Sequence, residues 1–135
     1  MDDIQEYYKN TENALPHPMV KKIMSMNIKP GRAIDLGCGA GRDTIYLIKK
    51  GWNVLSIDKE DTKEIIFSKL NDEERKIFDF KCQSFENIEL VNNNLLVANF
   101  SIPFCNKNYF EEFWKKISNS ISSGRILRWE FLWAK

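Results

Sequence analysis

Histidine occurs once in this 135-residue chain, at His17, and cysteine three times, at Cys38, Cys82 and Cys105. The cysteine count is odd and no pair has Cys-x-x-Cys spacing, which argues against a zinc site and against a closed disulfide framework, so no metal is expected. Reduced thiols point to a cytoplasmic protein. An excess of charge of one sign is also lacking: 20 basic residues stand against 19 acidic ones, a net charge of +1. Such a chain carries no field that would draw it to nucleic acid or to an anionic membrane. No apolar run nears the roughly 20 residues that cross a bilayer. The acidic, polar start "MDDIQEYYKN" is unlike a signal peptide. There is no internal repeat and no low-complexity linker.

What is present is an apolar fraction of 43%, enough at this length for one domain with its own core. Short apolar runs read as strands: "RAIDL" (Arg32–Leu36), "NVLSID" (Asn53–Asp58), "FDFKC" (Phe78–Cys82), "NLLVANF" (Asn94–Phe100) and the longer "RILRWEFLW" (Arg125–Trp133). Helix-like segments lie between them. "RDTIYLIKKG" puts Ile45, Leu47 and Ile48 on one face and stops at Gly51, a helix C-cap signal. "DTKEIIFSKL" starts at a capping residue, Asp61 or Thr62. In "NKNYFEEFWKKISNSISSG" the residues Tyr109, Phe110, Phe113, Trp114, Ile117 and Ile121 recur every three or four positions, and Gly124 follows. Alternating strand and helix implies right-handed crossovers and a doubly wound, mostly parallel sheet. Residues 1–30 form a helical cap, with a helix near 18–26 started by "PHP", and residues 31–135 form the core of a single domain.

The stretch "RAIDLGCGAGRDT" carries the chemistry. In a doubly wound sheet, ligands bind beyond the carboxyl ends of the strands, where strand order reverses. Gly37, Gly39 and Gly41 follow the first strand and let a ligand approach the main chain. Their spacing is G-x-G-x-G. The dinucleotide fingerprint G-x-G-x-x-G would need glycine at 42, where Arg42 stands, and no Gly-Lys pair forms a phosphate loop. Asp35, two residues before the first glycine, repels a pyrophosphate and attracts a cation. It can equally cap or order the loop. Asp58 ends the second strand, 17 residues after Gly41, where a carboxylate can accept two ribose hydroxyls. Cys38 reads as a small loop residue whose N–H matters rather than as a nucleophile.

"DLGCGAGRDT" followed by "VLSIDKE" resembles the class I S-adenosylmethionine-dependent methyltransferases. "FKCQSFENIEL" and "LLVANFSIPFC" look like the segments after that family's third and fourth strands. "YYKNTENALPHP", "NFSIPFC" and "FEEFWKKI" resemble the small tellurite-resistance-like members, over nearly all of residues 4–125. The resemblance implies a Rossmann-like sheet of order 3-2-1-4-5 and S-adenosylmethionine as cofactor, with S-adenosylhomocysteine as product. It places the amino acid part of the cofactor at Asp35, Gly37, Cys38, Gly39, Gly41, Arg42 and Asp43. The ribose falls at Asp58 and Lys59, the adenine at Gln83, Ser84 and Phe85, and the methyl at Asn99 and Phe100. It identifies no catalytic residue, although His17 or Glu86 would be the base for a hydroxyl or amine acceptor.

A full class I domain continues beyond strand five with two more strands. This chain ends at Lys135, so the expectation is a fold lacking strands six and seven. The activity expected is methyl transfer to a small-molecule acceptor. The alternatives are a non-catalytic module or relic that binds the cofactor or its product, and a nicotinamide-dependent oxidoreductase, which Arg42 and Asp35 disfavour. Residues 4–18 are expected to close over the cofactor. Residues 125–133 would present an open strand edge with Ile126, Trp129, Phe131 and Trp133, which predicts a two-fold homodimer through that segment.

Overall fold

The apolar runs form strands where the sequence places them: β1 (Arg32–Leu36), β2 (Asn53–Asp58) and β3 (Phe78–Cys82). β4 (Leu95–Val97) is shorter than its run. The computed structural model describes residues 29–84, 88–98 and 107–121, and in the last of these the side chains of 112 and 115–121. Residues 1–28 of the cap over 1–30, the lid over 4–18 and the fifth run over 125–133 lie outside the described residues. Four helices complete the described fold: α1 (Arg42–Lys49), α2 (Lys63–Phe67), α3 (Asp72–Arg75) and α4 (Lys107–Ser120).

The sheet order is β3-β2-β1-β4 and every pairing is parallel. The chain moves outward from β1 to β2 to β3, then returns to place β4 on the other side of β1. Strand order therefore reverses between β1 and β4, which makes the end of β1 the switch point. Just ahead of β4, Asn94 N–H donates to Arg32 O at 2.8 Å and Asn93 N–H to Ser120 O at 2.9 Å. Successive N–H groups of an extended chain point to opposite edges. Ile121, in parallel bridge with Asn93, thus lies on the side of β4 away from β1. Ile121 has left the helix that its sequence spacing assigned it to.

Period-two alternation divides the core into two layers. Ala33, Val54, Leu95 and Val97 face α1 and α2 and pack with Leu47, Ile48, Trp52 and Ile66. Ile34, Leu36, Ile57, Leu96 and Ala98 face the opposite way and pack with Ile88 and with Ile117 of α4. Both faces are covered, so both sets of side chains are apolar, as a parallel sheet requires.

Two glycines shape the helix connections. At the end of α1, Gly51 N–H donates to Ile48 O at 2.9 Å and Trp52 N–H to Leu47 O at 3.1 Å, a Schellman motif. Gly51 takes φ 93° there, and the apolar contact that accompanies the motif is Trp52 against Leu47 in the core. At Gly41, φ is 88° and a Cβ would overlap the Ile66 side chain of α2. Gly41 is therefore fixed by the approach of α2 as well as by its own dihedral. α3 is held by a capping box between Asn71 and Glu74, and Lys49 of α1 reaches the same Glu74 at 3.1 Å.

These two sites predict different costs. At Gly51 a Cβ would meet Pro30 at an ordinary 3.5 Å, so Gly51→Ala carries only the left-handed penalty, about 1–2 kcal/mol. Gly41→Ala adds overpacking against Ile66, about 1–3 kcal/mol more. Urea denaturation of both variants measures the order, and equal losses would show that Ile66 moves aside freely.

Candidate ligand site at the carboxyl edge of the sheet

β1 and β2 run in register, Asp35 beside Ser56 and Leu36 beside Ile57. Their ends therefore lie side by side, and the loop that leaves β1 crosses the end of β2. Gly37 N–H donates to Ile57 O at 2.7 Å, and Cys38 N–H reaches the same oxygen at 3.3 Å. Gly39 N–H donates to Asp58 Oδ2 at 2.9 Å, and Gly41 N–H to Cys38 O at 2.9 Å. These loop N–H groups are satisfied within the fold rather than fanned outward as a phosphate cradle. The N–H of Cys38, which the sequence offers for ligand contact, is one of them.

Asp58 is anchored from both sides. Oδ2 takes Gly39 N–H and Oδ1 takes Glu60 N–H, each at 2.9 Å. Gln83 N–H donates to Asp58 O at 2.9 Å, which sets the end of β3 beside the end of β2. Lys59 and Ser84 are exposed next to them, and Gln83 is half-buried.

Asp35 is the least expected group. It is only 3% exposed, inside the layer that faces α1. Thr44 Oγ1 donates to Asp35 Oδ2 at 2.6 Å, and Ser56 Oγ lies 2.6 Å from Thr44 Oγ1. Burial, followed by the charge of Asp43, pushes the Asp35 carboxyl well above the usual carboxylate range; the Thr44 hydroxyl pulls the other way. Asp58 adds to the upward push and Arg42 opposes it. Burial and the charges of Asp35 and Asp58 push the Cys38 thiol up as well, so it stays protonated and is no nucleophile at neutral pH. Its Sγ lies 3.9 Å from Thr62 Oγ1 at the start of α2.

The structure thus gathers Asp35, Gly37, Cys38, Gly39, Gly41, Arg42, Asp43, Asp58 and Gln83 at one edge, with Lys59 and Ser84 on its rim. Phe85, Asn99 and Phe100 lie outside the described residues, as do His17 and Glu86. Thr44 and Ser56 were not singled out by sequence. Their signal is faint: polar residues at positions that helical and strand periodicity assign to the core. Among the described residues no cluster of His, Cys, Asp or Glu could hold a metal, and no helix is long and apolar enough to cross a membrane.

Residues 2–124 match the family model of the tellurite resistance protein TehB. The fold superposes on TehB from Haemophilus influenzae with a TM-score of 0.74 and 22% identity, over 90% of this chain and 42% of that one. A protein of Methanococcus maripaludis described as an S-adenosyl-L-methionine-dependent methyltransferase gives 0.76 and 20%, over 96% and 64%. Coclaurine N-methyltransferase, bound to N-methylheliamine and S-adenosylhomocysteine, gives 0.69 and 21%, over 84% and 35%. These likenesses show a Rossmann-like methyltransferase fold. The chain spans between 35% and 64% of the length of these three solved structures.

The Asp35 carboxyl gives a pH-dependent stability. Its folded pKa lies above the unfolded value of about 3.9, so its contribution is complete below that value and is lost as pH rises through the folded pKa. Asp35→Asn removes the ionisation while keeping the shape. In the ligand-free protein the variant is expected to be more stable than the parent at about pH 8, with the gap closing toward about pH 4. Urea midpoints across that range measure it, and a parent more stable at the alkaline end would mean that the charge is compensated in place.

Proposed function

The chain belongs to the TehB tellurite resistance family, and from that premise we propose that it binds S-adenosylmethionine and transfers the methyl group to a small-molecule acceptor. One observation carries the reading. Two buried carboxyl groups, Asp35 and Asp58, stand at the ends of adjacent parallel strands on either side of the glycine loop, at the switch point of the sheet.

The donor set fits that cofactor. A buried carboxyl with a raised pKa gains by meeting a cation, because the pair relieves the isolated charge. An α-ammonium is such a cation, and Asp35 would hold it. Asp58, held at the end of β2 by Gly39 N–H and Glu60 N–H, would present its carboxylate to the ribose hydroxyls. Gly41, as N-cap, has no side chain over the first N–H groups of α1, which leaves the ligand carboxylate an approach there. Gln83, beside Asp58, would border the adenine.

S-adenosylmethionine supplies a sulfonium methyl already activated for in-line displacement. The protein therefore has to orient the ligand and exclude water rather than supply a nucleophile. Asp35 and Asp58 fix two points of the ligand, and the interior against which Asp35 sits keeps that end dry. The protonated Cys38 thiol takes no part as a methyl acceptor. The match to solved methyltransferases supports this division of labour, and the coclaurine enzyme, with S-adenosylhomocysteine bound, is one of them.

Titration calorimetry should show one S-adenosylhomocysteine bound per chain and no binding of NAD. Asp58→Ala should weaken it at least about tenfold, since each hydrogen bond to a charged acceptor is worth about 1.5–3 kcal/mol. Unchanged affinity would remove Asp58 from the site. Transfer of labelled methyl to a panel of acceptors, starting with tellurite and small thiols, tests the activity. Binding without transfer to any of them would favour a cofactor-binding module.

A further inference from the structure

The sheet layer that faces α1 is apolar except at its carboxyl edge, where three polar side chains from three elements stand in file. Asp35 comes from β1, Thr44 from α1 and Ser56 from β2, and they are 3%, 0% and 0% exposed. Both links are 2.6 Å long. A hydroxyl has one proton to give. When Asp35 is ionised, Thr44 gives its proton to Oδ2, so the proton between Thr44 and Ser56 belongs to Ser56. Ser56 therefore fixes which way the Thr44 hydroxyl points, and Thr44 fixes the carboxylate. No described residue donates to Asp35 Oδ1.

We propose that Thr44 and Ser56 are positioning residues for ligand recognition: their hydroxyls, in file behind Asp35, lock its carboxylate by Oδ2 and leave Oδ1 to a cationic group. The second half of this rests on the reading that Asp35 meets the ammonium of the cofactor. Hydroxyls that served only as polar filler would leave ligand affinity unchanged when removed; hydroxyls that position Asp35 would not. Here the Thr44 hydroxyl favours the charged form of Asp35 against burial and two neighbouring carboxylates. Asp43 on α1 and Asp58 on β2 oppose the charge, Arg42 on α1 favours it, and the Cys38 thiol beside them on the loop is neutral. Removing the Thr44 hydroxyl deletes the only hydrogen bond that a described side chain makes to that charge.

Two measurements on the full chain test this. Carbon-detected NMR follows the Asp35 carboxyl in the ligand-free protein, and calorimetry follows S-adenosylhomocysteine affinity between about pH 6 and about pH 9. In Thr44→Val the Asp35 midpoint moves up. Affinity at neutral pH falls roughly tenfold to a hundredfold, the value of a hydrogen bond to a charged group. Its rise with pH is displaced by the same amount. Thr44→Ser restores both to within about threefold, since the donor is kept. Ser56→Ala moves them in the same direction by less, and carries the test if Thr44→Val does not fold. An unmoved Asp35 midpoint in the folded variants overturns the proposal, whatever their stability. Absence of S-adenosylhomocysteine binding by the parent, or full binding by Asp35→Asn, overturns the ammonium reading instead. The midpoint, read without ligand, still decides the role of the hydroxyls.

Discussion

The hydrogen bond from Gly39 N–H to Asp58 Oδ2, at 2.9 Å, holds the ligand edge in one form. A loop with glycine at every second position has wide conformational freedom, and freedom costs affinity when a ligand must freeze it. Here the loop is frozen beforehand. Asp58 grips it in the middle, Ile57 O receives its first two N–H groups, and the packing of Ile66 fixes Gly41 at its end. All of these contacts come from β2 or from the segment that follows it. The register of β1 with β2 thus does more than build the sheet: it carries the loop across the end of β2 and delivers the carboxylate that orders it.

Asp35 works in the opposite sense. Burial raises its pKa, so charging it costs stability, a cost that a proton or a neighbouring cation removes. On the proposed reading of Asp35, the site trades stability for recognition. The trade is tolerable because the cost is confined to one corner. Around it, Leu47, Ile48, Val54, Trp52 and Val97 make a close-packed layer, and the Schellman turn at Gly51 seats Trp52 within that layer.

Much of this was legible because parallel strands covered on both faces read as uninterrupted apolar runs. The first three runs have the bounds of β1, β2 and β3, and the two acids at the ends of β1 and β2 stand out against them. α3 was not legible. It has four residues and buries none of them, so no periodicity marks it, and its Asn71–Glu74 capping box is the only trace it leaves. The inward face of α1 is wider than its apolar spacing shows. Ile45 packs half-buried against the core of Leu47 and Ile48, and Thr44 is buried beside it, where it donates to Asp35. In sequence, Ser56 is one small residue in "NVLSID". Its role depends on the β1–β2 register and on the placement of α1, which no local pattern encodes.

The two faces of the sheet explain why a site could form on one of them. On the face that meets α4, side chains stay apolar to the strand ends: Ile34 then Leu36, Leu55 then Ile57, Leu96 then Ala98. On the face that meets α1, each of the two central strands turns polar as it nears its carboxyl end: Ala33 then Asp35, Val54 then Ser56 then Asp58. Ser56 is the smallest of these polar groups, and it leaves the room in which Thr44 approaches Asp35. Because side chains alternate with period two, β1 and β2 can carry this polar gradient on one face without interrupting the core on the other. The same ten or so residues can therefore hold the sheet together from one side and hold a ligand from the other.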